Sequence, residues 1–454
     1  MRNRVLLLSF GVLALAALYS AYYGRDFVGR QRAMIAESDS LDRDRQEKSH
    51  EQFLQYLDEE NAPADDPRRQ RFEYNPSKVY FYPTDFAGLA IGQKDNLPFI
   101  HPKYNSRQSI YSVSATDIQN PGKLLAGNFD LSFIILYLLP LLVIVYGYGL
   151  RSEEKEQGTY TLVRVQADAN RMLLHKWLFR CIVVCAFMVL LNLAAFSVAG
   201  ISMTSQWDQK ASWLLITVVY TLFWFSLVWL VVRLRTSGSL AALLLGGCWV
   251  LLLLVVPTWV YRQVSDTHEK EQVKALFNQR GDFPKAYSLS SEVLVDSFAR
   301  LEHPIALPAM TDTSEAMQRI YKTICMEEIQ ARFDNGIGRR VLDLQAAEYR
   351  RTLAYNWLNP VYAIQHAFNQ VAGTEINSYH DYLTGLDDYG LMQRYARYEH
   401  WLETRSLSAG VGGSMPYTGY TIPVVGPWQS WRLLSPVLVL TLVLLLVGAL
   451  QRNA

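Results

Sequence analysis

Six stretches of this chain stay apolar over about the thickness of a lipid bilayer, and nothing else in the sequence restricts its fold as tightly. A hydrocarbon core about 30 Å deep takes roughly 20 residues of helix. The runs at 5–22, 131–150, 181–203, 212–232, 239–261 and 434–450 are of that order, the first and last being the shortest. Half of the 454 residues are hydrophobic, yet the mean hydropathy is only +0.03. Apolar residues are therefore gathered into blocks with polar sequence between them. Tyr22, Tyr23, Trp177, Trp213, Trp259, Tyr261, Trp428 and Trp431 stand at the block ends, where amphipathic rings favour the headgroup zone. The expected fold is mainly α, a polytopic membrane protein with six transmembrane helices.

Basic residues in the short loops set the orientation. Arg2 and Arg4 precede the first run, and Arg452 follows the last. Arg151, Lys155, Arg164, Arg171, Lys176 and Arg180 lie between the second and third, and Arg233 and Arg235 between the fourth and fifth. The short loop after the third run holds only Lys210, beside Asp208. Both termini are thus expected in the cytoplasm. The first run exceeds the apolar core of a cleavable signal peptide (about 7 to 15 residues), so it is expected to stay as an anchor. The organisation that follows is a first crossing at 1–22 and an extracytoplasmic insertion at 23–130. Four helices then occupy 131–261, with a cytoplasmic segment at 151–176. A second extracytoplasmic insertion fills 262–433, and the last crossing and its tail occupy 434–454.

Residues 24–60 alternate in charge and lack proline, so the first span is expected to run on outward as a helix, ended by the turn-forming NAPADDP at 61–67. Aromatic patches at 79–82 and 99–104, broken by prolines, read as short or irregular strands. The second insertion reads as mostly helical: 262–279 extends the fifth span, followed by helices at 313–335, 338–358, 360–373, 376–386 and 389–403. Together the insertions are long enough to form a mixed, mostly helical extracytoplasmic domain in which each packs on the other.

Several classes of function are disfavoured. A net charge of +1 gives no basic surface for nucleic acid. Cys181, Cys185 and Cys248 lie inside apolar runs, which leaves Cys325 alone and no disulfide framework. The sequence has no HExxH, GxSxG or CxxC. His400 and Glu403 share a helical face, and His380 and Asp381 precede Asp387 and Asp388. Zinc needs three or four convergent ligands, so these read as solvated helix residues, and neither a catalytic residue nor a metal site is expected. Without a GxxxxGK[ST] loop the chain cannot cradle nucleotide phosphates by that route.

Three residues stand out at the spans. Asn192, deep in the third run, reads as a helix–helix hydrogen bond, with substrate contact as the alternative. Asp130, at the mouth of the second, is costly beside hydrocarbon unless paired or hydrated, and reads as a helix cap. Pro257 interrupts the fifth run near its end.

The charged segment after the second run carries the main functional signal. Glu153, Glu154 and Glu156 precede Gly158 and Thr159. Thr159 can cap a helix from about Tyr160 towards Ala169, with the acidic cluster near its positive end. Leu162 and Val165 give it an apolar side, while Arg164 and Asp168 remain solvated. Such an element, pinned between two spans, can dock in a partner's groove and pass on rigid-body motion. The plain alternative is a polar loop.

The run NPGKLLAGNFDLSFIILYLLPLLVIVYGYGLRSEEKEQGTYTLV resembles the second-span region of ABC-2-type permeases, in particular a subgroup with large extracytoplasmic insertions after spans one and five. The matching positions are Asn120, Pro121, Gly127, Phe129, Asp130, Leu139, Pro140, Leu141, Glu154, Glu156, Gly158 and Thr159. Arg171 and Lys176 fall where that family carries an Arg and a Lys before span three. Pro257 and LNPVYAIQHAFNQVAGTE at 358–375 are also similar. At Gln166–Asp168 and Ala169 the chain departs from a proline-containing turn found in many relatives. The resemblance implies a permease subunit of an ATP-driven exporter in the bacterial cytoplasmic (inner) membrane. Its partners would be a cytoplasmic ABC ATPase dimer, which holds the ATP and Mg, and a second permease subunit, identical or not. The chain itself would bind no cofactor. Glu153, Glu154, Glu156, Gly158, Thr159, Arg164, Arg171 and Lys176 would couple to the ATPase, the region 158–170 acting as the coupling helix. The alternative is a membrane-anchored assembly or signalling protein whose outer domain binds a partner.

Overall fold

The computed structural model describes residues 2–60, 78–92, 94–102, 128–152, 169–234, 237–264, 314–405 and 427–450. Nine helices are described: α1 Arg2–Glu59, α2 Leu131–Gly147, α3 Ala169–Val198, α4 Trp207–Arg233, α5 Gly238–Val264, α6 Glu315–Ala354, α7 Pro360–Ala372, α8 Ile376–Thr404 and α9 Pro427–Leu450. A two-stranded antiparallel ribbon joins β1, Lys78–Tyr80, to β2, Ile100–Pro102, with Val79 opposite His101. Among the described residues five helices are long and apolar enough to cross a membrane, those within α1, α3, α4, α5 and α9, and α2 is a shorter apolar helix. The chain is thus a mainly helical, polytopic membrane protein.

The 58-residue α1 is about 87 Å long, far more than a bilayer needs. Its first part is apolar, and its polar part beyond Gly24 continues without a break, as the proline-free, charge-alternating sequence requires.

At the centre of the bundle stands α4, with 78% of its most apolar stretch buried, against 17% for α5. It packs on α9, α3, α2, α7 and α5. Small residues permit the closest approaches. A Cβ on Gly448 would lie 2.7 Å from Trp229 of α4, and one on Gly147 would lie 2.7 Å from Val228. Lipid-facing helices gain little from apolar contact alone, so side chains seated this closely on small residues hold spans together.

Beside the bundle α6 and α8 form a pair around Ile320, Tyr321, Ile324, Cys325, Tyr398 and Trp401. Buried Arg394 and Glu328 are 3.0 Å apart, Arg397 and Glu327 3.1 Å, and Arg339 and Asp387 2.6 Å. Val79 in β1 and Phe81 just after it pack on Tyr379, Tyr382, Leu383 and Leu386 of α8.

Three expectations are corrected. The helices expected at 313–335 and 338–358 are one continuous α6, its glycines carried in the helix interior. Those at 376–386 and 389–403 are one continuous α8. Asp387 is not solvated, since it is buried and paired with Arg339, so the Asp387–Asp388 dipeptide is a cross-helix anchor rather than a break.

Candidate functional site

Two helices carry the same interruption. In α2 the Leu139 N–H reaches back five residues to the Ile134 carbonyl, closing a π-turn over Ile134–Leu138, and Pro140 follows at once. In α5 the Val256 N–H reaches the Leu251 carbonyl across a π-turn over Leu251–Val255, and Pro257 follows. Proline lacks an N–H and its ring clashes with the carbonyl four residues back, and a widened turn moves that carbonyl away. The freed carbonyls need other donors where water is absent.

Those donors come from elsewhere in the fold. Tyr220 of α4, fully buried, donates its hydroxyl to the Leu136 carbonyl at 2.9 Å, four residues before Pro140. The indole of Trp249 on α5 donates to the Tyr137 carbonyl at 3.1 Å. In α5 the Leu252 carbonyl accepts from Asn359 Nδ2 at 3.0 Å, and the Pro257 carbonyl from the Tyr362 hydroxyl at 3.1 Å. Asn359 also caps α7, its Oδ1 accepting from the Val361 N–H at 3.0 Å. Pro360 at the first helical position suits that cap.

A buried segment, Thr84 to Gly92, clasps the entry of α2. Phe86, Ala87, Leu89, Ala90 and Ile91 are all fully buried. Gly24 of α1 and Gly88 meet backbone to backbone: a Cβ on Gly24 would lie 1.8 Å from the Gly88 carbonyl oxygen. Phe86 lies between Phe196 and Trp213, at 5.7 and 6.3 Å. Arg32 and Gln206 both donate to Asp85, at 2.6 and 2.7 Å. Thr84 donates to the Ala372 carbonyl, and Thr374 to the Ala90 carbonyl at 2.8 Å.

Asp130 fastens this clasp to α2. Its carboxylate accepts from the Ile91 N–H at 2.8 Å, the Ser132 hydroxyl at 2.7 Å and the Phe133 N–H at 2.8 Å. It is therefore the N-cap of α2. Complete burial pushes its pKa up to about 6, against the pull of those hydrogen bonds. Asn192 takes the indole N–H of Trp213 at 2.8 Å and gives to the Met188 carbonyl at 2.7 Å, a bond between α3 and α4. Asp130, Asn192 and Pro257 thus belong to one side of the bundle, linked through the clasp, Trp213 and α7.

Glu153, Glu154, Glu156, Gly158, Thr159 and Arg164 lie outside the described residues. Arg171 is exposed and Lys176 half-buried near the start of α3. Two neighbouring arginines do more than mark a side. Arg180 donates to the Tyr146 carbonyl near the end of α2. Arg233 donates to the Gly448 carbonyl at 3.0 Å and to Asn170 Oδ1 at 2.7 Å. Both place positive charge where helix carbonyls run out, and they tie the start of α3 to α2, α4 and α9.

The sequence reading missed Tyr220, Trp249, Asn359, Tyr362 and the Thr84–Gly92 clasp. Pro140 and Pro257 signal that carbonyls must be freed nearby. Asn359 before Pro360 is a visible helix start. Which side chains supply the donors is a tertiary fact.

The sequence profile of the ABC-2 family transporter proteins matches residues 1–451, and the chain belongs to that family. It is a membrane component of the ABC-2 permease type, a subunit without an ATPase domain. No curated protein and no solved structure matched the chain.

Proposed function

We propose that the chain is the permease of an ATP-driven exporter, moved by a separate ATPase dimer that binds the ATP and Mg. The full-length family match carries the reading. In it the chain makes six crossings of a bacterial inner membrane, α2 being the sixth. The base of α3 and both termini face the cytoplasm, as the basic residues of the short loops require. The α6–α8 pair and the ribbon then lie outside, in a domain built from both insertions. Glu153, Glu154, Glu156, Gly158, Thr159 and Arg164 form the coupling element that receives the ATPase stroke, with Arg171 and Lys176 at its exit. The arginine ties at the base of α3 support this role, because a stroke delivered there reaches α2, α4 and α9 together. A second permease subunit completes the path, which runs along α2 and α5.

The test is co-purification with an ATPase from the native membrane, joined to labelling of a cysteine placed at Gly158 in sealed vesicles of known sidedness. An associated ATPase and labelling only from the inner face are the expected results. Labelling from the outer face, or a chain that never retains an ATPase, overturns the reading. Glu154→Lys with Glu156→Lys is expected to leave membrane abundance normal while ATP turnover proceeds uncoupled.

A further inference from the structure

Resting on that reading, we propose that α7 carries movement at the Pro257 break of α5 outward to the α6–α8 pair, with Asn359 and Tyr362 as the positioning residues. Asn359 is fully buried and uses both ends of its amide. One end starts α7 at the Val361 N–H, and the other holds the Leu252 carbonyl of the π-turn. If that turn relaxed from π to α register, its carbonyls would shift by about one residue rise, about 1.5 Å. Asn359 must follow or let go. Tyr362, one turn on, grips the Pro257 carbonyl.

From Tyr362 the contacts run on without a gap. His366 stacks on Tyr362 at 5.9 Å and meets Tyr349 of α6 at 5.1 Å. Tyr349 donates to Glu375, at the start of α8, at 2.9 Å. The opposite face of α7 is core, with Phe368 against Trp213 at 4.4 Å, so α7 cannot absorb the shift by tilting freely. Ion pairs at Glu328, Glu327 and Asp387 make α6 and α8 one stiff body. Coupling needs an element with two discrete arrangements, and the π-turn supplies it.

The experiment uses the full chain with its ATPase in lipid nanodiscs, with Cys181, Cys185, Cys248 and Cys325 replaced by Ser. One nitroxide pair, Leu41→Cys and Met392→Cys, spans α1 and α8, and both positions are exposed. A second, Leu174→Cys and Leu234→Cys, reports the opposite side of the bundle. Distances are measured by pulsed EPR without nucleotide and after trapping with ATP and vanadate. Both pairs are expected to shift in the parent. In Asn359→Ser with Tyr362→Phe the opposite-side pair still shifts, while the shifted population of the α1–α8 pair falls about fivefold. Serine keeps an oxygen to cap α7 but is too short to reach Leu252. Tyr362→Phe alone, nearly isosteric, is expected to give an intermediate loss with the nucleotide-free distances of the parent. An α1–α8 shift that survives in full in both variants overturns the inference. So does a parent in which only the opposite-side pair moves. A parent in which neither pair moves overturns the exporter reading itself.

Discussion

The breaks in α2 and α5 are the same local structure in different surroundings. Each is a π-turn closed by an apolar residue, with a proline next. In α2 the donors are Tyr220 and Trp249, from neighbouring spans. Its entry is also clasped through Asp130, and its far end is tied by Arg180. In α5 the donors are Asn359 and Tyr362, which begin a short helix between α6 and α8. Only 17% of the most apolar stretch of α5 is buried. A proline break is thus not in itself a hinge. Braced by neighbouring spans it is a fixed bend, and braced by a short helix that also touches α6, as α7 does, it becomes the proposed route for movement.

The clasp should give the largest effect. Gly24→Val puts carbon into space held by the Gly88 carbonyl. Neither backbone can yield without lifting α1 or freeing Asp130, so a loss of about 3 kcal/mol is expected, seen as a large drop in the thermal midpoint in detergent. A change in Tm no larger than that of Gly11→Val, where a Cβ meets nothing, would show that the clasp is not a fixed support for α2.

Tyr220→Phe comes next. It leaves the Leu136 carbonyl with neither a backbone N–H at 140, which proline lacks, nor a hydroxyl, in a fully buried place, and about 1.5 kcal/mol should be lost. Adding Pro140→Ala supplies a backbone N–H at 140, so the double variant should recover most of that loss. A cycle with no coupling between the two sites would break the account of the α2 break. Tyr362→Phe, in the half-buried brace of α5, should cost below about 1 kcal/mol. The comparison is sharpened if the stability order is Tyr220→Phe worse than Tyr362→Phe while the effect on nucleotide-driven movement is the reverse.

What the sequence discloses follows from how local each cause is. Five of the six apolar runs, the continuation of α1 as a helix beyond Gly24 and the cap at Asp130 rest on short-range chemistry, and each has a counterpart in the fold; the helix–helix bond of Asn192 was legible too, though not its partner Trp213. The merging of α6 and of α8 was illegible because a glycine or an Asp–Asp pair signals a break only when nothing across the way holds it, and Arg339 holds Asp387. The clasp was hidden because TDFAGLAIG is too short and too plain to carry a period. Its meaning lies in partners more than a hundred residues off, such as Gln206 and Thr374. The braces of the two breaks were half legible, since each proline announces a need without saying which side chain answers it.

The smallest effect separates the two breaks by pH. Asp130 has an ordinary pKa of 3.8 and a folded value of about 6, raised by burial. The folded state therefore holds its proton more tightly than the unfolded chain. The stability this adds is full below about 4 and is lost as pH rises through about 6. His366, beside the α5 brace, has its pKa lowered by burial to about 4. Its contribution runs the other way and is lost as pH falls from about 6.5 towards 4. The two slopes oppose each other in the parent, so the quantity to read is the difference between parent and variant. Between pH 4.5 and 7, the thermal midpoint of the parent should fall relative to Asp130→Asn as pH rises, and should rise relative to His366→Phe. Parallel profiles for parent and Asp130→Asn would mean that the carboxyl at the entry of α2 keeps its ordinary pKa, and that its burial at the clasp is not as described.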